Sequence, residues 1–468
     1  MINFFPKPIS LRGLVVYIIS LVVVSFIFIH YAMDFIWIAF GIGGVSLFFF
    51  LSNQFTVEWQ RSTTKSFVQK LFVVALLLRI AWVLFSYFFY QIQTGEPFEF
   101  EARDAKGYHG EADWLASQSW DIIFSYLFVE KQGVSDSGYS LYLTIIYKLF
   151  GSSVIIARLL KAVYGAITCV LLYRIAARSM GEQVGRMAGI FAMLMPNLII
   201  YCGMHLKETE MLLLMVAFLE RADYVLRVKN YSWWQFIPPL LIAGSLFMFR
   251  TVLGIIAVFS FGTALVFSPS RVVKKERKLV SVAWVLVAIA LLAGGTVRTE
   301  VEGLWESRGS NQEMKRLEQT SRGNQWAQYA TATVMAPIEF VMPLSTMVMV
   351  DMDQQNQMVL HGGNYVRNYM GVFVLISLFV VLFVKKNWRE FSLIGSFVIG
   401  YLGVISLSGF ANSERFLLPG LPCLIIFWAY GVSVLNKKNY KFVKLWSIVV
   451  VLMEVGWAYF KIGSRGLL

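Results

Sequence analysis

Long apolar runs dominate the chain, and each is close to the ~20 residues a helix needs to cross the hydrocarbon core of a bilayer. Lipid offers no partner for an open backbone N–H or C=O, so such runs become spanning helices. About thirteen runs fit: 13–31, 35–51, 71–91, 153–173, 187–203, 209–226, 234–249, 251–267, 279–295, 369–384, 391–409, 417–435 and 445–461. The chain is 57% hydrophobic and 15% charged, whereas soluble domains carry about 25% charged residues. An aromatic content of 16% excludes disorder. Only three Cys are present, all within apolar stretches, which excludes a disulfide scaffold. The first run lacks a small-residue cleavage site and a second follows almost at once, so it reads as a span rather than a leader. The expected fold is therefore an all-α polytopic membrane protein.

Forty-one Lys and Arg face 28 Asp and Glu, a net charge of +13. The bases are scattered between spans rather than gathered into one patch, so nucleic acid is not the expected partner. Counting spans alternately puts every basic cluster on one side, from Lys7 and Arg12 through Arg174, Arg178 and Arg186 to Lys437, Lys438, Lys441 and Lys444. The positive-inside rule makes that side cytoplasmic. The opposite side holds two large loops, 92–137 with nine acids against three bases, and 297–368. Loops of this length in a compact protein carry structure and function, so juxtamembrane helices are expected in both. The chain then divides into two N-terminal helices (1–70), a central membrane module with its first loop (71–296), the second loop (297–368) and C-terminal helices (369–468).

The chemistry-bearing residues sit at external span ends. In Glu101-Ala-Arg-Asp-Ala-Lys-Gly-Tyr-His-Gly-Glu-Ala-Asp-Trp-Leu115, a helix places Asp104, Tyr108 and Glu111 on one face and His109 and Asp113 on another. An ordinary solvated amphipathic helix has the same pattern. His205, Lys207 and Glu208 fall in a very short turn between two spans, which reads either as a solvated hairpin with a snorkelling Lys or as an anion or metal site. Arg250 stands alone between two apolar runs, and so reaches the interface or faces a protein-lined cavity. Arg415 leads a Pro-containing span, where it anchors the helix in headgroups or faces a site. There is no Walker loop and no His-Glu-x-x-His pattern. Asp351-Met-Asp353 matches a nucleotide-sugar triplet, but it faces the compartment that lacks such donors.

The order of these motifs resembles the GT-C superfamily of polytopic glycosyltransferases, in particular the bacterial branch akin to protein O-mannosyltransferases and aminoarabinose transferases. Asp104, Tyr108 and Ala112 fit its D-x-x-x-Y-x-x-x-A frame. Gly138-Tyr139, the Arg174-to-Arg186 stretch, Pro196, Lys207-Glu208, Arg250 and Arg415-Phe416 with Pro419 and Pro422 follow in the family's order. Ser140 replaces the Pro that usually follows Gly-Tyr, and two additional spans precede the matching core. The resemblance implies an inverting transferase that moves a sugar from a polyprenyl-phosphate donor to a hydroxyl of a glycan, lipid or protein acceptor. Transfer would take place on the periplasmic face of a bacterial inner membrane, in surface glycan assembly. Asp104 would be the general base, with Glu208 as the second catalytic acid. Lys207, Arg250 and Arg415 would hold the lipid phosphate, and Tyr108, His109, Glu111 and His205 would line the substrate site. A divalent metal (Mg or Mn) at Glu208 is optional, because clustered bases neutralise phosphate unaided. Two other classes share the topology: an O-antigen polymerase or ligase, whose sites rely mainly on bases, and a lipid-linked sugar flippase or transporter, whose ionisable groups lie near mid-membrane.

Overall fold

The computed structural model describes residues 2–130, 135–228, 232–267, 332–350, 355–407, 414–436, 439–463 and 467. Every described element is helical, and one isolated bridge, Ala32 to Val348, joins two loops. The helices used below are α1 (Lys7–Ile27), α2 (Phe35–Glu58), α3 (Thr64–Thr94), α4 (Arg103–Ala116), α5 (Trp120–Ser125), α6 (Ser137–Phe150), α7 (Val154–Met180), α8 (Glu182–Leu194), α9 (Pro196–Ile200), α10 (Glu208–Arg227), α11 (Ile237–Phe249) and α12 (Thr251–Phe267). After them come α13 (Ala332–Val341), α14 (Gln355–Phe379), α15 (Ser392–Leu407), α16 (Glu414–Leu417), α17 (Leu421–Ser433) and α18 (Tyr440–Gly463).

Among the described residues, eight helical segments are long and apolar enough to cross a membrane, and α8 with α9 forms a bent ninth. This confirms the all-α polytopic class. Twelve of the thirteen apolar runs coincide with helices, while 279–295 and Asp351-Met-Asp353 lie outside the described residues. The runs 234–249 and 251–267 form helices shorter than a typical span, separated by Arg250 in extended backbone. Helices occupy the first loop as expected, with α4 and α5 inside 92–137 and α6 starting at its end.

Local sequence explains the element ends that matter for the site. The Thr63 side chain accepts the Ser66 N–H at the start of α3, and Gly95 closes the helix with φ +79. At Pro196 the chain cannot donate to the preceding turn, so α8 and α9 meet at 55°. The carbonyls that Pro196 leaves open are taken by Arg79 of α3, a fully buried guanidinium. Its Nη2 donates to Ala192 at 3.2 Å and its Nη1 to Met193 at 3.3 Å. A charge inside the bundle is thus accounted for by a broken helix rather than by chemistry. The bend brings the chain back to start α10 at Glu208, packed against α7 and α11.

Candidate active site

Asp104 lies in the first turn of α4, where the partial positive charge of the helix end favours a carboxylate. One α4 face presents Asp104, Tyr108 and Glu111 to a cleft of about 560 Å³, which Arg103, Trp114 and Tyr126 also line. Glu111 accepts a hydrogen bond from Ser140 of α6. The opposite face carries His109, whose Nδ1 is 2.8 Å from the Tyr147 hydroxyl, which in turn lies 3.2 Å from Nε2 of His205. Asp113 accepts from Ser152. The two faces separate as the helical spacing required.

Arg415 joins the acids. Its Nε donates to Glu208 and its Nη1 to Asp104, so one guanidinium bridges α4, the start of α10 and α16. Planar Arg suits this task, because its rigid fork presents separate nitrogens to the two carboxylates. Lys207 donates to the Phe249 carbonyl at 3.0 Å and pairs with Asp136. The next residue after Phe249 is Arg250, whose guanidinium sits 4.5 Å over the Phe416 ring. Gly138 permits this approach: a Cβ there would lie 2.8 Å from Phe249 and 2.9 Å from Met248. Lys207, Arg250 and Arg415 thus meet around Glu208.

The turn at 203–208 is not a solvated hairpin. The Glu208 and His205 side chains are fully buried, and Lys207 is nearly so. The loop between α3 and α4 covers it and α7 supports it from below. Arg158 of α7 pairs with Glu99 at 3.2 Å, and Glu99 accepts the His205 backbone N–H at 3.0 Å. Lys161 donates to the Met204 and Leu206 carbonyls and lies 3.6 Å from Glu210. Burial and the Arg250 guanidinium push the Lys207 ammonium down to about 7, against the pull of Glu208. Burial alone would raise Glu208, but Arg415 and Arg250 outweigh it and hold the carboxyl below its usual range. Burial with Lys161 and Arg158 nearby keeps His205 well below the ordinary imidazole value, and burial lowers His109 despite Asp113.

Asp104, Lys207, Glu208, Arg250 and Arg415 therefore gather at one junction of helix ends with Tyr108 beside them, while Glu111 lies further along the α4 face. His109 and His205 form a separate pair behind the cleft rather than lining it. Among the described residues, no group of three His, Cys, Asp or Glu is arranged to hold a metal ion. Arg415 takes one oxygen of Asp104 and one of Glu208. Sequence reasoning passed over Glu99, Arg158 and Lys161, which set the turn, and Asp136, which pairs with Lys207. The signal for Arg158 and Lys161 was available, since both are ionisable residues inside an apolar run.

Comparison with known proteins agrees with this geometry over part of the chain. Residues 138–294, about a third of the sequence, match a family model described as dolichyl-phosphate-mannose-protein mannosyltransferase. That family belongs to the GT-C superfamily, so over this third of the chain the match agrees with the resemblance read from the motifs. The match includes Lys207, Glu208 and Arg250, while Asp104 and Arg415 lie outside it. No curated protein and no solved structure matches the chain.

Proposed function

We propose that the chain transfers a sugar from a polyprenyl-phosphate donor to an acceptor hydroxyl with inversion, on the external face of the membrane. The acceptor hydroxyl gives its proton to Asp104 as its oxygen bonds to the anomeric carbon. The bond from that carbon to the phosphate oxygen breaks, and the phosphate leaves with the electron pair. Lys207, Arg250 and Arg415 stabilise the charge that develops there. Glu208 orients Arg415, and Tyr108 packs beside both. The external side rests on the alternate placement of basic clusters, and a bacterial inner membrane on the family branch.

The observation that carries this reading is the bridge from Asp104 through Arg415 to Glu208, with two further bases at the same junction. A base for the acceptor thereby lies next to positive charge for a leaving phosphate. A polymerase or ligase site built mainly from bases leaves Asp104 without a task. A transporter would be expected to place its binding groups at mid-span, whereas this cluster lies at helix ends. No metal is assigned a role, because the three bases supply the countercharge.

Binding tests the donor half. Purified protein in nanodiscs should retain a polyprenyl-phosphate sugar, and Arg250→Ala should weaken retention by about 10- to 100-fold, as expected for one buried charge-assisted contact. Equal retention by Arg250→Ala would remove the phosphate pocket.

A further inference from the structure

The cleft beside Asp104 has a second end that the transfer step leaves unused. Trp114 and Tyr126 meet there edge to face, with ring centroids 5.0 Å apart and planes at 69°. Trp114 is 46% exposed, so part of its indole is open to the cleft. Ten residues of α4 separate it from Asp104, a distance of about 15 Å along the helix axis. Between them stands Glu111, fixed by Ser140, and Arg103 lines the cleft at the Asp104 end.

We propose that this cleft is an acceptor subsite for a saccharide, so that the hydroxyl brought to Asp104 belongs to a glycan chain. The inference rests on the transferase reading for its orientation but is measurable without it. A pyranose presents apolar C–H faces and a rim of hydroxyls. Flat rings with their polar edges satisfied match the faces, and carboxylates that accept paired hydroxyls match the rim. A phosphorylated headgroup fits poorly, because Asp104 and Glu111 would repel it and the bases that suit it lie around Glu208. An extended peptide needs a strand edge or a side-chain pocket, and no strand exists among the described residues. Membrane anchoring has its own surface next door, where Trp120, Phe124 and Phe128 stack at 6.0 and 6.1 Å and are all exposed. Trp114 pairs with Tyr126 inside the cleft and stands apart from that strip.

The test uses the full chain in nanodiscs with no donor present. Equilibrium binding is measured with radiolabelled tetrasaccharides of glucose, mannose and N-acetylglucosamine. At least one should bind, Trp114→Ala should weaken it about tenfold, and Trp114→Phe should stay within about threefold of wild type. A monodisperse Trp114→Phe protein that binds shows that loss in Trp114→Ala is not misfolding. Absence of any saccharide binding, or equal binding by Trp114→Ala, would overturn the proposal. Saccharide binding that persists while no donor sugar is ever transferred would sink the transferase reading and leave the subsite standing.

Discussion

Removing the Arg415 charge should unbalance Glu208 before it does anything else. The Glu208 side chain has no exposed surface, and its Oε1 takes the Arg415 Nε. Breaking a buried ion pair by deleting one partner costs about 3–5 kcal/mol, because the remaining charge stays desolvated. Arg250 and Lys207 still face Glu208, and Arg415 keeps some solvent contact, so Arg415→Gln should fall at the low end, about 3 kcal/mol. Glu208→Gln alone leaves Arg415 paired with Asp104 and should cost less, about 1–2 kcal/mol. With both changes Glu208 no longer carries a desolvated charge, and the double variant should cost about 2–3 kcal/mol rather than the roughly 4–5 of the two singles added, a coupling of about 2 kcal/mol. Unfolding of the three variants in detergent micelles, followed by protease susceptibility against denaturant, measures the cycle. Activity separates structure from chemistry: the double variant should be stable yet inactive in sugar transfer. Additivity within about 0.5 kcal/mol would refute the coupling, and a stable, active double variant would refute the role of Arg415.

Other expectations follow from single contacts. The Lys207 ammonium is pushed down to about 7 by burial and Arg250, so its charge is present below that pH and is lost as pH rises through it. The donor KM should therefore climb between pH 6 and 8.5, and Arg250→Ala, which relieves the repulsion, should move the midpoint upward in a pH–KM profile. Arg79→Met should lower stability by about 2 kcal/mol by stranding the Ala192 and Met193 carbonyls, with the donor KM unchanged in the same preparation. A chelator should leave transfer at its original rate, since Lys207, Arg250 and Arg415 supply the countercharge for the leaving phosphate. A loss restored by Mg or Mn would assign a metal.

Most of the fold was legible because lipid imposes one rule, and twelve apolar runs obeyed it. The break between α11 and α12 was legible too, because Arg250 interrupts 234–267 at the point where one helix ends and the next begins. The helical face holding Asp104, Tyr108 and Glu111 could be read from spacing, since α4 starts where the pattern does. The depth of the 203–208 turn could not. Polar residues between two spans look solvated in sequence, and only the packing of Glu99, Arg158 and Lys161 from distant segments buries them. The Asp104–Arg415–Glu208 bridge joins positions 311 and 207 residues apart, a pairing that no local pattern encodes.

The central claim is that Asp104 takes the proton from the acceptor. Transfer of a radiolabelled sugar from polyprenyl phosphate, in proteoliposomes of wild type and Asp104→Asn with donor binding measured in parallel, tests it directly. The substitution keeps the shape of the side chain and removes its basicity, so transfer should fall about 10²- to 10⁴-fold while donor binding is retained. Undiminished transfer by Asp104→Asn would contradict the account.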